Sequence, residues 1–180
     1  MSQRGSTFKM VHLALLIAFA VAVHTVEAAI PVPIPIPGAK LGLANIITLF
    51  TIILYDYRAG LIVASFRSII GSLFSGNFLG FGFYLSFSGA VLSCLAMALF
   101  LLLYSRQKIT LISVSMAGAV TFNIVQLAVA SILVQNFILF RGYLPFLLLL
   151  AIPTGFFTGL VTIYLKDIAA RAGLKLKQSY

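Results

Sequence analysis

Apolar segments follow one another along almost the whole chain, and most are long enough to cross a lipid bilayer. A transmembrane helix needs about 20 apolar residues to span a hydrocarbon core about 30 Å thick. Six segments can be delimited, near Met10–Ala28, Leu41–Leu54, Ala59–Phe74, Phe81–Tyr104, Leu111–Val134 and Tyr143–Leu165. Charged residues make up only 8% of the 180 residues, against about 25% in soluble domains. The sequence therefore predicts an all-α membrane protein, a single transmembrane domain built as a bundle of about six helices.

The second and third segments are short, and only Tyr55-Asp56-Tyr57-Arg58 separates them. One interpretation is a hairpin that spans the bilayer obliquely. The other is a tight cytoplasmic turn between two short helices. We favour the turn, because a polar and charged cluster is unfavourable in lipid.

The basic residues predict the orientation of the bundle. With an even number of spans and the N-terminus inside, only Lys40 and Arg141 lie outside. The cytoplasmic side then carries Arg4, Lys9, Arg58, Arg106, Lys108, Lys166, Arg171, Lys175 and Lys177. This bias follows the positive-inside rule. Both termini are therefore predicted to be cytoplasmic, and residues 166–180 form a basic tail that lies on anionic lipid or docks a cytoplasmic partner. A cleaved signal peptide is the alternative for the first span, since it has a basic start and Ala-x-Ala triplets.

Proline occupies alternate positions between the first two spans, from Pro31 to Pro37. Such a stretch cannot form a helix, because proline removes backbone donors and favours an extended path. It predicts a stiff outer loop, either a connector in the headgroup region or a lid over an outward-facing cavity. Four glycines surround the next outer turn: Gly71, Gly76, Gly80 and Gly82. A flexible lid and simple tight packing are both compatible with them.

Arg67 lies near the middle of the third span, where an arginine costs about 2.5–3.5 kcal/mol on insertion scales. It is therefore expected to face the bundle interior and to have a partner. The chain has three acids, and Glu27, at the outer end of the first span, is the best candidate. Two interpretations follow: a buried Arg67–Glu27 pair that positions the helices, or an arginine that holds an anionic or polar ligand. An arginine that extends towards an interface is a third.

Other polar residues in the spans suggest an interior face. Asn123 and Gln126 are three residues apart and share a helix face, as do His24 and Glu27. Asn45, early in the second span, could join them. Helix–helix hydrogen bonding and ligand contact are both open for the amides. A few convergent polar groups in an apolar interior are typical of small-molecule sites.

Ala14, Ala18 and Ala22 recur every four residues on another face of the first span. Such small residues allow a second helix to approach closely. Internal packing and docking of a partner protein are equally compatible with this ladder.

Several functions lack their sequence signatures. There is no G-x-x-x-x-G-K-[ST] loop, no H-E-x-x-H, no G-x-S-x-G and no pair of neighbouring carboxylates. The single cysteine, Cys94, lies in an apolar span, and no Cys/His cluster suggests a metal. The basic residues lie at span ends instead of forming a stripe for nucleic acid. We therefore expect no catalytic residues, metal or cofactor. An intramembrane enzyme would depend on Glu27 or His24 alone.

The residues around the first loop resemble the Gx transporter family, also labelled heptaprenyl diphosphate synthase component I. The resemblance lies in Val26–Pro31, Ile36–Asn45, Arg67 with Gly71-Ser72, Ser86–Ala90, Gly118–Asn123, Gln126 and Leu144-Pro145. Its most specific part is Gly38-x-Lys40-x-Gly42-Leu43-Ala44-Asn45. The family is similar to the substrate-binding S-components of energy-coupling factor (ECF) transporters. The chain departs from the family's histidine–asparagine pair, because Phe122 precedes Asn123, so a role for that histidine does not carry over.

The resemblance implies an S-component-like bundle in a bacterial cytoplasmic membrane, with its ligand site towards the outside. The expected ligand-binding residues are Glu27, Lys40, Asn45, Arg67, Asn123 and Gln126. The Ala14/Ala18/Ala22 ladder would dock a transmembrane coupling protein served by separate ATPases. The expected function is uptake of a small amphipathic or anionic molecule. The alternative is a non-catalytic membrane partner in isoprenoid or quinone metabolism, or in flavin-based extracellular electron transfer.

Overall fold

The computed structural model describes residues 2–29 and 40–174, with side chains from Thr7 onward. This part of the chain forms six helices: α1 (Ser2–Ala29), α2 (Asn45–Leu54), α3 (Tyr57–Phe74), α4 (Phe81–Ser105), α5 (Leu111–Leu133) and α6 (Phe137–Arg171). The predicted all-α membrane bundle is confirmed. The proline-rich segment and the end of the basic tail, including Lys175 and Lys177, lie outside the described residues.

Each helix overlaps one predicted segment, but four boundaries differ by more than two residues. α1 begins at Ser2 instead of Met10, and α6 extends to Phe137 and Arg171 at its two ends. Hydropathy marks only the part of a helix that lies in lipid, whereas the hydrogen-bonded turns continue beyond it. The predicted tail is therefore helical up to Arg171. α2 begins four residues later than predicted, because the residues before Asn45 form a turn.

Four helices (α1, α4, α5 and α6) are long and apolar enough to cross a membrane. α2 has ten residues, which at 1.5 Å each cover about 15 Å, half of the hydrocarbon core. α3 has 18 residues and covers about 27 Å, but Arg58 and Arg67 lower its hydropathy. That α2 and α3 also cross remains a prediction.

The helices pack in an order that leaves α1 at the edge of the bundle. α4, α5 and α6 pack one on the next, and α3 joins them through α4. The short α2 lies among α3, α4 and α6, and its Leu49 and Ile52 are fully buried. α1 packs mainly on α3 and less on α2. One side of α1 is thus free to contact lipid or another protein.

The turn between α2 and α3 lies at the end of the bundle where α1 begins. Lys9 Nζ is 3.6 Å from Asp56 Oδ2, and His12 Nδ1 is 3.0 Å from Tyr55 Oη. Asp56 caps α3 by accepting a 2.7 Å hydrogen bond from the Ala59 N–H. The favoured tight turn between two helices is therefore what forms. It is cytoplasmic if the N-terminus is, as predicted.

Candidate functional site

The chain enters α2 through residues Lys40–Asn45, called the entry segment below. The Asn45 N–H donates to the Gly42 carbonyl over 2.9 Å, which closes a turn. Gly42 has a φ of +83°, and a Cβ built there would lie 3.0 Å from the Phe122 ring. Glycine is needed for both reasons, since other residues disfavour this backbone region and would displace the ring. The described part of the Gly38–Asn45 motif, the entry segment, is therefore a compact turn in which Gly42, Ala44 and Asn45 are buried.

Glu27, at the C-terminal end of α1, binds the backbone of the entry segment. Its Oε1 accepts hydrogen bonds from the Gly42 N–H at 2.5 Å and the Leu43 N–H at 3.3 Å. The residue is 2% exposed. Buried carboxylates need such donors, because an unpaired charge is very unfavourable away from water.

Arg67 holds the other end of the entry segment. It is 1% exposed, and its Nη2 donates to Asn45 Oδ1 over 2.8 Å. Ser93 Oγ lies 3.4 Å from the same oxygen. Across the side chains described, the ion pair found within 4.0 Å is Lys9–Asp56. The predicted contact between Arg67 and Glu27 is therefore wrong: each binds a different part of the entry segment instead of the other.

Gln126 on α5 pairs with the first residue of the entry segment. Its Oε1 accepts from the Lys40 N–H over 2.9 Å, and its Nε2 donates to the Lys40 carbonyl over 3.0 Å. The Lys40 Nζ is 2.5 Å from His24 Nε2 on α1. Burial in this loop lowers the pKa of the Lys40 amine to about 8. The amine is therefore charged at neutral pH and loses its charge at lower pH than an exposed lysine.

Asn123 is buried one turn from Gln126, but it has a different partner. Its Nδ2 donates to the Leu147 carbonyl of α6 over 3.0 Å. Five of the six predicted ligand-binding residues, all except Asn123, thus meet at the entry segment. Asn123 makes a helix–helix hydrogen bond, which was one of the two interpretations of this residue.

Several polar atoms near the entry segment have no hydrogen-bond partner within the described residues. They include Arg67 Nε, Asn45 Nδ2 and Thr48 Oγ1. A buried polar group without a partner costs about 1–3 kcal/mol. Arg67 Nε and Asn45 Nδ2 can only donate, and they belong to two residues that are hydrogen-bonded to each other. A ligand with an acceptor group, such as a carboxylate or phosphate oxygen, could satisfy them.

The formal charges around the entry segment favour the same kind of ligand. Arg67 and Lys40 are cationic groups, and Glu27 is the one acid in this group of residues. The other two acids, Asp56 and Asp167, lie on the turn before α3 and near the end of α6. The two cations and one acid therefore leave a formal charge of +1 in a site that is largely shielded from water. An anion would balance it.

Sequence reasoning missed Ser93 and Thr48 because serine and threonine occur throughout membrane helices, where they bond to their own backbone. For Gly71, a flexible lid and simple tight packing were both left open. In the structure, Gly71 lies against the His24 ring, and a Cβ there would overlap the ring atoms. Tight packing is thus the correct interpretation for Gly71. Its position four residues after Arg67 was the available signal.

The small-residue ladder of α1 faces outward. Ala14, Ala18 and Ala22 are exposed and line an apolar groove of about 650 Å³ with Ile70 and Phe74 of α3. Within the described residues the ladder is therefore left exposed instead of being packed inside the bundle.

The described residues provide no metal site. Across residues 7–29 and 40–174, no three His, Cys, Asp or Glu side chains converge on one point. The entry-segment site offers hydrogen-bond donors, acceptors and one excess positive charge. These groups are suited to holding a small polar or anionic molecule.

Comparison with known proteins agrees with the resemblance noted from the sequence. The family model for heptaprenyl diphosphate synthase component I matches residues 16–165. No curated protein and no solved structure matches the chain. The matched range covers α2 to α5 completely, the second half of α1 and most of α6. The chain therefore belongs to the heptaprenyl diphosphate synthase component I family.

Proposed function

We propose that this protein is the substrate-binding membrane subunit of an ECF-type transporter, and that it takes up a small amphipathic or anionic molecule. The observation that supports this most is the buried polar site at the entry segment. Arg67 and Asn45 keep unpartnered donors there, among the described residues, and the formal charge is positive. Structural hydrogen bonding alone would not require an excess charge in a lipid-surrounded bundle.

The position of the site fits capture from outside. Glu27 is at the end of α1 opposite to Lys9, which lies beside the turn predicted to be cytoplasmic. The site is therefore in the outer half of the predicted bundle. We further propose that the bundle resides in a bacterial cytoplasmic membrane with both termini inside.

The exposed ladder supports a coupling role. Three alanines beside an open groove allow a partner helix to approach the α1 backbone closely. A transmembrane coupling protein with separate ATPases would supply the energy, since the chain itself has no phosphate-binding loop.

Ligand binding can be tested with charge-neutral variants of the site. The purified protein is expected to retain a small anionic molecule detectable by mass spectrometry. Lys40→Gln should reduce retention at least about tenfold, as the loss of a charged hydrogen-bond donor does. Retention by the unaltered protein should also fall as the pH is raised through about 8, where Lys40 becomes neutral.

Lys108→Gln serves as the matched control, because Lys108 is exposed between α4 and α5 and should not affect retention. A preparation free of any small molecule, with a Lys40→Gln variant that behaves like the control, would contradict the transport proposal.

The second candidate is a non-catalytic membrane partner in isoprenoid or quinone metabolism, or in flavin-based extracellular electron transfer. The family's name is the observation that favours it. The protein is proposed not to be an enzyme itself, because prenyl chain elongation needs paired carboxylates for magnesium. The acids present, Glu27, Asp56 and Asp167, lie far apart along the chain.

Affinity purification from membranes separates the two candidates. If the transport proposal is correct, coupling and ATPase subunits co-purify, and Ala18→Leu reduces their yield about tenfold or more. The leucine side chain would prevent the close helix approach that Ala18 permits. Leu99→Ala is the control, since Leu99 is exposed on the remote α4. Recovery of a prenyltransferase or redox protein in place of ATPases would favour the second candidate.

A further inference from the structure

A second groove lies on another side of α1, between α1, α2 and the residues that follow α6. It has a volume of about 590 Å³ and is called the N-terminal groove here. Leu15, Leu16 and Phe19 of α1 and Phe50 of α2 form its apolar part. Leu15 and Phe19 are exposed, so neither is covered by another helix of the described chain.

The groove is polar at one end only. Lys9 and His12 precede Leu15 on α1, and Tyr55 ends the α2 side. Lys9 and Phe19 are ten positions apart, a distance of about 15 Å along the helix axis. The lining therefore changes from polar to apolar over half the thickness of the hydrocarbon core. An amphiphile with a polar head and an apolar chain has the same arrangement.

The polar end is organised and basic. His12 Nδ1 is 3.0 Å from Tyr55 Oη, and Lys9 Nζ lies 5.3 Å from the centre of the Tyr55 ring. Lys9 remains 44% exposed although it is 3.6 Å from Asp56. The amine faces Asp56 Oδ2, whereas Asp56 Oδ1 accepts the Ala59 N–H.

Two further arginines add positive charge at this end. Arg58 is the second residue of α3, two positions after Asp56, and Arg171 ends α6 two positions before Gly173, which lines the groove with Leu174. Both arginines are exposed. Together with Lys9 they outnumber the two acids nearest to them along the chain, Asp56 and Asp167, which favours an anionic head group over a zwitterionic one.

We propose that the N-terminal groove binds an anionic phospholipid, with one acyl chain between α1 and α2 and the phosphate near Lys9, His12 and Tyr55. The chain covers the exposed apolar side chains, and the phosphate accepts hydrogen bonds from the basic end. This site is separate from the entry-segment site and does not depend on the proposed transport function.

Native mass spectrometry of the full chain tests the proposal. The protein is mixed with equal amounts of phosphatidylglycerol or phosphatidylcholine in mild detergent, and the retained lipid is counted. We expect preferential retention of phosphatidylglycerol. Lys9→Gln should lower it about fivefold, the effect of one lysine near an anionic lipid, without changing phosphatidylcholine. Leu15→Trp should lower the retention of both lipids by filling the groove.

Lys108→Gln and Leu99→Trp are the matched controls, since both residues are exposed away from the groove. A maleimide dye that reacts with the buried Cys94 only after unfolding confirms that each variant is folded. Equal retention in the groove and control variants overturns the proposal. Equal retention of the two lipids, or a protein bound there in place of lipid, overturns it as well.

Discussion

Replacement of Arg67 by alanine is expected to lower the stability of the bundle by about 3 kcal/mol. The guanidinium is buried and donates to Asn45 Oδ1, and hydrogen bonds to charged groups contribute about 1.5–3 kcal/mol. Alanine would also leave a void, because Arg67 is among the largest fully buried side chains. Glu27 would lose the positive potential of the guanidinium. Removing a buried charge also saves its desolvation cost. The losses are larger than this saving, because Asn45 and Glu27 remain buried without the guanidinium.

Thermal unfolding in detergent measures the effect. Cys94 is the single cysteine and is fully buried, so a fluorogenic maleimide reports unfolding without any added probe. A loss of 3 kcal/mol should lower the melting temperature by about 10 °C for a chain of this size. The melting temperature of Arg67→Lys should lie between those of the unaltered protein and Arg67→Ala, since lysine keeps the charge but not the planar guanidinium.

Arg106→Ala provides the comparison, because Arg106 is exposed at the end of α4. This variant should melt at the same temperature as the unaltered protein. Identical melting of the Arg67→Ala and Arg106→Ala proteins would show that Arg67 does not hold the entry segment.

Gly155→Leu is expected to separate α5 from α6 and to destabilise the protein by about 3 kcal/mol. A Cβ at Gly155 would lie 2.7 Å from the Met116 Cα, and one at Gly159 would lie 2.9 Å from the Ile112 Cα. Backbone atoms cannot rotate away, so the helices must move apart. Movement would also break the 2.6 Å hydrogen bond between Ser115 and Thr158. Overpacking of this kind typically costs about 1–3 kcal/mol, and the lost hydrogen bond adds to it.

The same substitution at Gly142 is the matched control. Gly142 lies on α6 too, but a Cβ there would have no atom within 4 Å. Leucine favours helix over glycine by nearly 1 kcal/mol, so Gly142→Leu should melt at the same temperature or slightly higher. The Cys94 assay again gives the comparison. Similar melting of the two variants would mean that α5 and α6 do not pack closely through Gly155.

The polar residues show how far sequence reasoning could reach into the site. The cost of placing Arg67, Glu27, Asn45 and Gln126 in lipid predicted that they face inward, and all four are buried. The same reasoning assigned Arg67 the wrong partner. It considered only charged side chains as partners for a charge, whereas backbone amides and an asparagine oxygen take that role here.

The sequence by itself determined the helical bundle and the burial of its polar residues. Lipid offers no hydrogen bonds to the backbone, so each apolar segment must form a helix, and each isolated polar group must face inward. Only the tertiary structure decided that Glu27, Arg67 and Gln126 all bind the entry segment. Lys40 and Gln126 are 86 residues apart, and a contact of this kind depends on how the helices pack, which local hydropathy and spacing do not encode.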